Sequence, residues 1–255
     1  MSDSFVARTV HFDAGGDSIE GYAALVEDSE PRGGVVVLHH LPGYDAWSKQ
    51  VVRTFGAMGY NAVCPNLYSR DAPGAAPDDA AALVRSRGGV PDSRILTDAE
   101  GAAGYLRGQA NSNGKVGVIG YCSGGRQSAL VACNLDVDAA VDCYGAYVTG
   151  TVPDGWLLKI TNLTDQLPNL RCPLLGLFGN EDKTPSPEHV DELDAVLSAN
   201  NKQFEIHRYD GAGHGFFTTD RPSYRVEAAV DGWEKISDFF AKNLGVMGGC
   251  ARTPR

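Results

Sequence analysis

Cys122 stands in Gly120-Tyr121-Cys122-Ser123-Gly124, directly after the apolar run Val116 to Ile119 and before a helix-forming stretch. Glycines two residues to either side suit a sharp strand-to-helix turn, where the two backbones must pass close together. A thiol on such a turn lies at a helix N-terminus, whose unsatisfied N–H groups and dipole favour the thiolate. The backbone N–H of Ser123 then points where an oxyanion would form after attack on a carbonyl carbon. A buried cysteine in a Gly-rich turn would look the same in isolation, so the reading depends on partners. His214, in Gly211-Ala212-Gly213-His214-Gly215-Phe216, follows the last predicted strand in a Gly-flanked loop and is the best-placed base. His11 and His207 fall in predicted strands and His189 on a predicted helix. The acid that orients the imidazole is expected from Phe178-Gly179-Asn180-Glu181-Asp182-Lys183. Asp182 is chosen; Glu181 competes, and Asp142, after the previous strand, is a third option.

Elements must bring these residues together. Phe5 to Asp13 and Ser18 to Glu27, around Gly15-Gly16, read as an N-terminal hairpin over about 5-27. From Gly34 short apolar runs alternate with amphipathic stretches. Strands are predicted at Val35–Leu38, Asn61–Cys64, Val116–Ile119, Ala139–Val141, Pro173–Phe178 and Phe204–His207. Helices are predicted near Ala46–Met58, Ser93–Gln109, Gly125–Cys133, Pro187–Ala199 and Tyr224–Leu244. A short helix is expected around Trp156–Leu163, and a loop over Asp71–Pro77. Strand-helix alternation implies a mostly parallel sheet covered on both faces. The order nucleophile, acid, histidine then gives an α/β-hydrolase fold of about eight strands and six helices, without a large cap domain. One domain over 1-255 is expected, with a loose tail at about 245-255.

Composition narrows the function classes. The chain has 255 residues, 43% hydrophobic and 21% charged, with a formal net charge of −10. That charge disfavours nucleic acid as a partner. No signal-like start and no run of eighteen apolar residues occurs, so a soluble, cytoplasmic protein that does not engage membranes is expected. The cysteines at 64, 122, 133, 143, 172 and 250 form no Cys-x-x-Cys pair, so a metal site is not expected. Cysteines inside apolar runs, such as Cys64 and Cys133, are read as small buried hydrophobes.

On four blocks the chain resembles the dienelactone hydrolase family, the carboxymethylenebutenolidase-like branch of α/β hydrolases. These are His39-His40-Leu41-Pro42-Gly43, Cys64-Pro65-Asn66-Leu67-Tyr68, Gly120 to Arg126, and Gly213-His214-Gly215-Phe216. The resemblance implies a Cys122, Asp182, His214 triad and a second oxyanion donor at the Leu41 N–H, beside that of Ser123. It also implies substrate-side roles for Tyr144 and Arg70. Two departures stand out. His40 occupies the place of a glutamate thought to hold the resting thiol, and Phe216-Phe217-Thr218 replaces a segment in which the family carries a substrate-binding arginine. His40 is therefore a candidate pocket residue with its own role, and a carboxylated dienelactone is not the expected substrate. Since adjacent strand residues face opposite ways, one of His39 and His40 is expected toward the cleft and the other in the core.

The expected reaction is hydrolysis of a small ester or lactone through a cysteine acyl-enzyme, without a cofactor, by a monomer or homodimer. Tyr44, Trp47, Tyr68, Tyr147 and Phe216 suggest an apolar or aromatic substrate. The rival readings are a non-catalytic small-ligand binding protein on the same fold, and a thioesterase or acyltransferase.

Overall fold

The computed structural model describes residues 4–245. Eight strands form one sheet in the order β1-β2-β4-β3-β5-β6-β7-β8. They are β1 (Phe5–Ala14), β2 (Asp17–Val26), β3 (Arg32–Leu38), β4 (Asn61–Pro65), β5 (Ser112–Tyr121), β6 (Ala139–Cys143), β7 (Leu174–Gly179) and β8 (Phe204–Tyr209). β1 and β2 form an antiparallel hairpin, and β2 also pairs antiparallel with β4; all later pairings are parallel. The helices are α1 (Ala46–Ala57), α2 (Pro77–Ser86), α3 (Asp92–Arg107), α4 (Ser123–Asn134), α5 (Pro187–Ala199) and α6 (Val226–Leu244).

The two-residue period of the strands sorts the core into two layers. Val36 and Leu38 of β3, with Val118 of β5, pack under residues of α2, α3, α4 and α5. Val35 and Val37, with Ile119 and Tyr121, pack under α1 and α6. Because both faces are covered, the central strands are apolar throughout rather than alternating, and β4, β6 and β7 are buried at every position.

One expected helix is absent, and one helix was not foreseen. The helix expected around Trp156–Leu163 is absent, and the segment between Val148 and Leu163 is irregular. Gly155 sits at φ 74, and the backbone groups bond outward instead of along a helix. The Lys159 N–H donates to Gly88 O at 2.7 Å, the Leu163 N–H to Val148 O at 2.8 Å, and Thr161 O accepts from Arg126 at 2.8 Å. A helix not foreseen, α2, begins where the predicted loop ends: Pro77 occupies its first position, and Asp78 and Asp79 fill the first turn, where the dipole favours acids. The tail expected at about 245-255 lies, beyond Gly245, outside the described residues. No helix among the described residues is long and apolar enough to cross a membrane.

Candidate active site

The strand order reverses its direction of growth at β3 and β5, and loops leaving the carboxyl ends of strands on either side of that point make a cleft. Cys122 leaves β5, Leu41 follows β3, Asp182 follows β7 and His214 follows β8. Cys122 is the residue before α4 and adopts φ 57, ψ −120, a strained conformation for a side chain with a Cβ. Its N–H donates to Cys143 O at 3.0 Å, and its carbonyl accepts from the Gly125 N–H at 2.9 Å. A Cβ added at Gly120 would lie 1.8 Å from Gly124 O, and one added at Gly124 would lie 2.1 Å from Leu38 O. The glycines are thus fixed by the close passage of α4 over β3 and β5.

The thiol of Cys122 hydrogen-bonds with His214 and meets the backbone N–H groups of Ser123 and Leu41. His214 Nδ1 is 2.8 Å from Asp182 Oδ2, which leaves Nε2 for the sulfur. The Asp182 side chain is 3% exposed, and its Oδ1 accepts from the Thr184 N–H at 2.9 Å. Burial pushes the Cys122 thiol up, but His214 and the two N–H groups outweigh it, and the net direction is down. Burial pulls His214 down; Asp182 and Cys122 outweigh this and raise it to about 10. Both shifts favour a thiolate-imidazolium pair. The other described cysteines go the opposite way: burial lifts Cys64 and Cys143 far up, Cys133 to about 11 and Cys172 to about 12.

Neither rival acid reaches His214 by a hydrogen bond. Asp142 is fully buried beneath the elbow, its Oδ1 accepting from the Gly145 N–H at 2.7 Å, and burial raises it to about 7. Glu181 contributes its backbone N–H to Ala212 O, which ties the acid loop to the histidine loop.

His39 and His40 lie beyond the end of β3, and both are buried, so strand alternation does not apply to them. His39 Nε2 accepts from the Leu67 N–H at 3.3 Å, which requires its Nδ1–H to donate to His40 O at 2.9 Å. Burial lowers His39 to about 4, so the ring is neutral. His40 Nε2 is 2.6 Å from Asp45 Oδ2, and the ring packs on Trp47. His40 therefore joins the start of α1 to the Leu41 loop and is not among the residues lining the cavity at Cys122. Burial pushes Asp45 up, yet His40 and Ser48 bring it down to about 2.

Arg70 is placed away from Cys122. Its guanidinium pairs with Asp17 and Asp98 and donates to Ala14 O, beside a separate surface hollow. Tyr144 is 1% exposed and packs edge-on against the His214 ring with centroids 5.1 Å apart, so it supports the histidine from below instead of facing the cavity. Among the aromatic candidates, Tyr68 acts through the backbone: its hydroxyl donates to Leu41 O at 2.9 Å, anchoring the residue whose N–H meets the sulfur. Tyr44, Trp47, Tyr147 and Phe216 are buried in packing.

A cavity of about 80 Å³ opens beside Cys122. Its apolar walls include Leu41, Val90, Ile95, Trp156, Leu158 and Ile160, and its polar groups come from Ser123, Arg126 and Gln127. Sequence reasoning missed most of these walls, because they come from the irregular 151–162 segment and the α2-α3 connection, where periodicity gives no direction. Arg126 did carry a signal, as the residue that closes the Gly124-Gly125-Arg126 run.

A cysteine on a strained strand-helix turn, with a hydrogen-bonded aspartate and histidine on the loops after β7 and β8 of a doubly covered parallel sheet, is the arrangement of the α/β-hydrolase fold. Residues 19–244 match the dienelactone hydrolase family. The chain is 32% identical over 249 residues to a candidate carboxymethylenebutenolidase of Escherichia coli K12, covering 95% of this chain and 89% of that protein. It is 32% identical over 213 residues to the carboxymethylenebutenolidase of Pseudomonas putida, covering 81% and 84%. A solved structure of a candidate dienelactone hydrolase from Klebsiella pneumoniae superposes with a TM-score of 0.83 at 27% identity, over 94% of this chain and 99% of that one. The chain belongs to the dienelactone hydrolase family and is an enzyme of the carboxylic-ester hydrolase class.

Proposed function

We propose that the enzyme hydrolyses a small ester or lactone through a thioester on Cys122, with His214 as acid and base and Asp182 holding its ring. The observation that carries this reading is the thiol of Cys122 bonded to His214, whose Nδ1 sits 2.8 Å from Asp182. His214 takes the thiol proton, and the sulfur attacks the carbonyl carbon. The Ser123 and Leu41 N–H groups, which meet the sulfur at rest, are within reach of the oxygen on the carbon bonded to it, and they stabilise its charge. The tetrahedral species collapses, the carbon-oxygen bond breaks, and the alkoxide leaves with the proton from His214. Water then loses a proton to His214 and attacks the thioester. The carbon-sulfur bond breaks, and the acid departs as the thiol is restored. Cys122→Ala is expected to abolish turnover of a p-nitrophenyl ester while leaving circular dichroism and the unfolding midpoint unchanged; retained activity in a folded variant overturns the proposal.

A further inference from the structure

Arg126 is the one cationic side chain among the residues lining the Cys122 cavity, and it lies in the first turn of α4. Its side chain is 3% exposed. A free guanidinium there would invite a carboxylated substrate. It is not free. Nη1 donates to Asp92 Oδ1 and Nη2 to Asp92 Oδ2, each at 2.8 Å, in the two-pronged geometry that matches carboxylate to guanidinium. Nη2 also donates to Thr161 O at 2.8 Å, which ties the irregular wall segment to the same pair. Asp92 is the first residue of α3, and its side chain is 30% exposed. The pair is neutral as a whole, and the rest of the wall is dominated by aliphatic and indole surface.

We propose that the acyl group accepted beside Cys122 is small, neutral and apolar, and that Asp92 enforces this by occupying the charge of Arg126. The inference rests on the ester-hydrolase reading of Cys122 and specifies its substrate class. A carboxylate entering the cavity gives up its hydration and finds the one cationic side chain that lines it already engaged, with the Asp92 charge behind it. An aliphatic acyl group gives up no hydrogen bonds and covers the apolar walls. The cavity of about 80 Å³ suits a short chain or a small ring.

Methyl butyrate and monomethyl succinate differ chiefly in a terminal carboxylate and test this directly. In the wild-type enzyme, kcat/KM followed by proton NMR is expected to favour the butyrate by at least about 100-fold. Asp92→Asn keeps the side-chain shape and removes the countercharge, and it should narrow that ratio at least tenfold by raising succinate turnover; Asp92→Ser serves if the amide variant does not fold. Wild-type turnover of the two esters within threefold of each other, or an unchanged ratio in the folded Asp92 variant, overturns the proposal. Dissociation constants of butyramide and succinamate, from chemical-shift titration of the wild-type protein, separate this from the reaction itself. If neither ester is hydrolysed, the ester reading fails, while tenfold tighter butyramide binding still supports a neutral apolar subsite and equal or reversed affinities reject it.

Discussion

In the proposed mechanism the Cys122 thiolate and the His214 imidazolium stabilise each other, and this sets the expected titration of the pair. Cys122 is lowered from the ordinary thiol range, so its thiolate is present above that lowered value and is lost as pH falls through it. His214 is raised to about 10, so the imidazolium partner is present through neutral pH and is lost only as pH rises past that value. Among the five described cysteines, alkylation by iodoacetamide should therefore be selective for Cys122 at pH 7, because burial pushes the thiols of Cys64, Cys133, Cys143 and Cys172 up and encloses them. His214→Ala removes the imidazolium but leaves the burial that pushes the thiol up, so it should move the midpoint of the rate-pH curve upward, to the free-thiol value of about 8.5 or above. Peptide mapping by mass spectrometry reads the site, and the rate reads the midpoint. Modification spread evenly over the five described cysteines, or a midpoint indifferent to His214, contradicts the pair. The type and order of these residues were legible in the sequence because an elbow needs Gly120 and Gly124 whatever surrounds it. The choice of Asp182 over Glu181 was not, since spacing along a loop does not say which of two adjacent carboxylates turns inward.

At the scale of elements, the site depends on how closely α4 passes over the sheet. Gly120→Ala places a methyl group on the Gly124 carbonyl, and neither backbone has a flexible side chain that can yield. A loss of about 4 kcal/mol or more by urea unfolding is expected, in the range reserved for strained or overpacked sites, together with loss of ester turnover. Asp142, at the end of β6, carries an opposite signature. Its folded value of about 7 lies above its ordinary one near 3.8, because burial penalises the charge. Folded and unfolded chains both hold the proton at low pH. Between those two values only the unfolded chain releases it, so this group's contribution falls as pH rises and levels off above about pH 7. The spread is on the order of 4 kcal/mol at the limit of full burial. Asp142→Asn keeps the acceptor for the Gly145 N–H, and its stability relative to wild type should increase from pH 4 to pH 7 and then stay level; a difference independent of pH rejects this account. The sequence showed β3 to β8 well, since buried parallel strands are runs of small and branched apolar residues. It suggested one helix that does not form, for a related reason: Trp156-Leu157-Leu158 looks like a helix face, but the cavity wall claims Trp156 and Leu158, Leu157 is exposed, and outward hydrogen bonds claim the backbone. The start of α2 was written in Pro77-Asp78-Asp79, but Ala-rich sequence after a Pro and Gly-rich loop carries little periodicity.

At the scale of the molecule, the cleft lies at the carboxyl edge of the sheet within a chain of formal net charge −10. Such a charge sets up a negative potential that a neutral substrate ignores and an anionic one must climb. The local pair of Arg126 and Asp92 determines what the cavity holds, while this longer-range field acts on approach, and salt distinguishes the two. Raising ionic strength from about 10 mM to about 150 mM shortens the Debye length from about 30 Å to about 8 Å, which removes most of the distant field but leaves a 2.8 Å ion pair nearly untouched. For methyl butyrate, kcat/KM should stay constant over that range. For monomethyl succinate it should rise two- to threefold in the wild-type enzyme, and by a similar factor in Asp92→Asn, since the substitution alters one charge of a much larger sum. A salt effect on the neutral ester would mean that ionic strength acts on the Cys122-His214 pair itself. A fall in succinate turnover with salt would show an attractive patch at the cleft mouth stronger than the net charge.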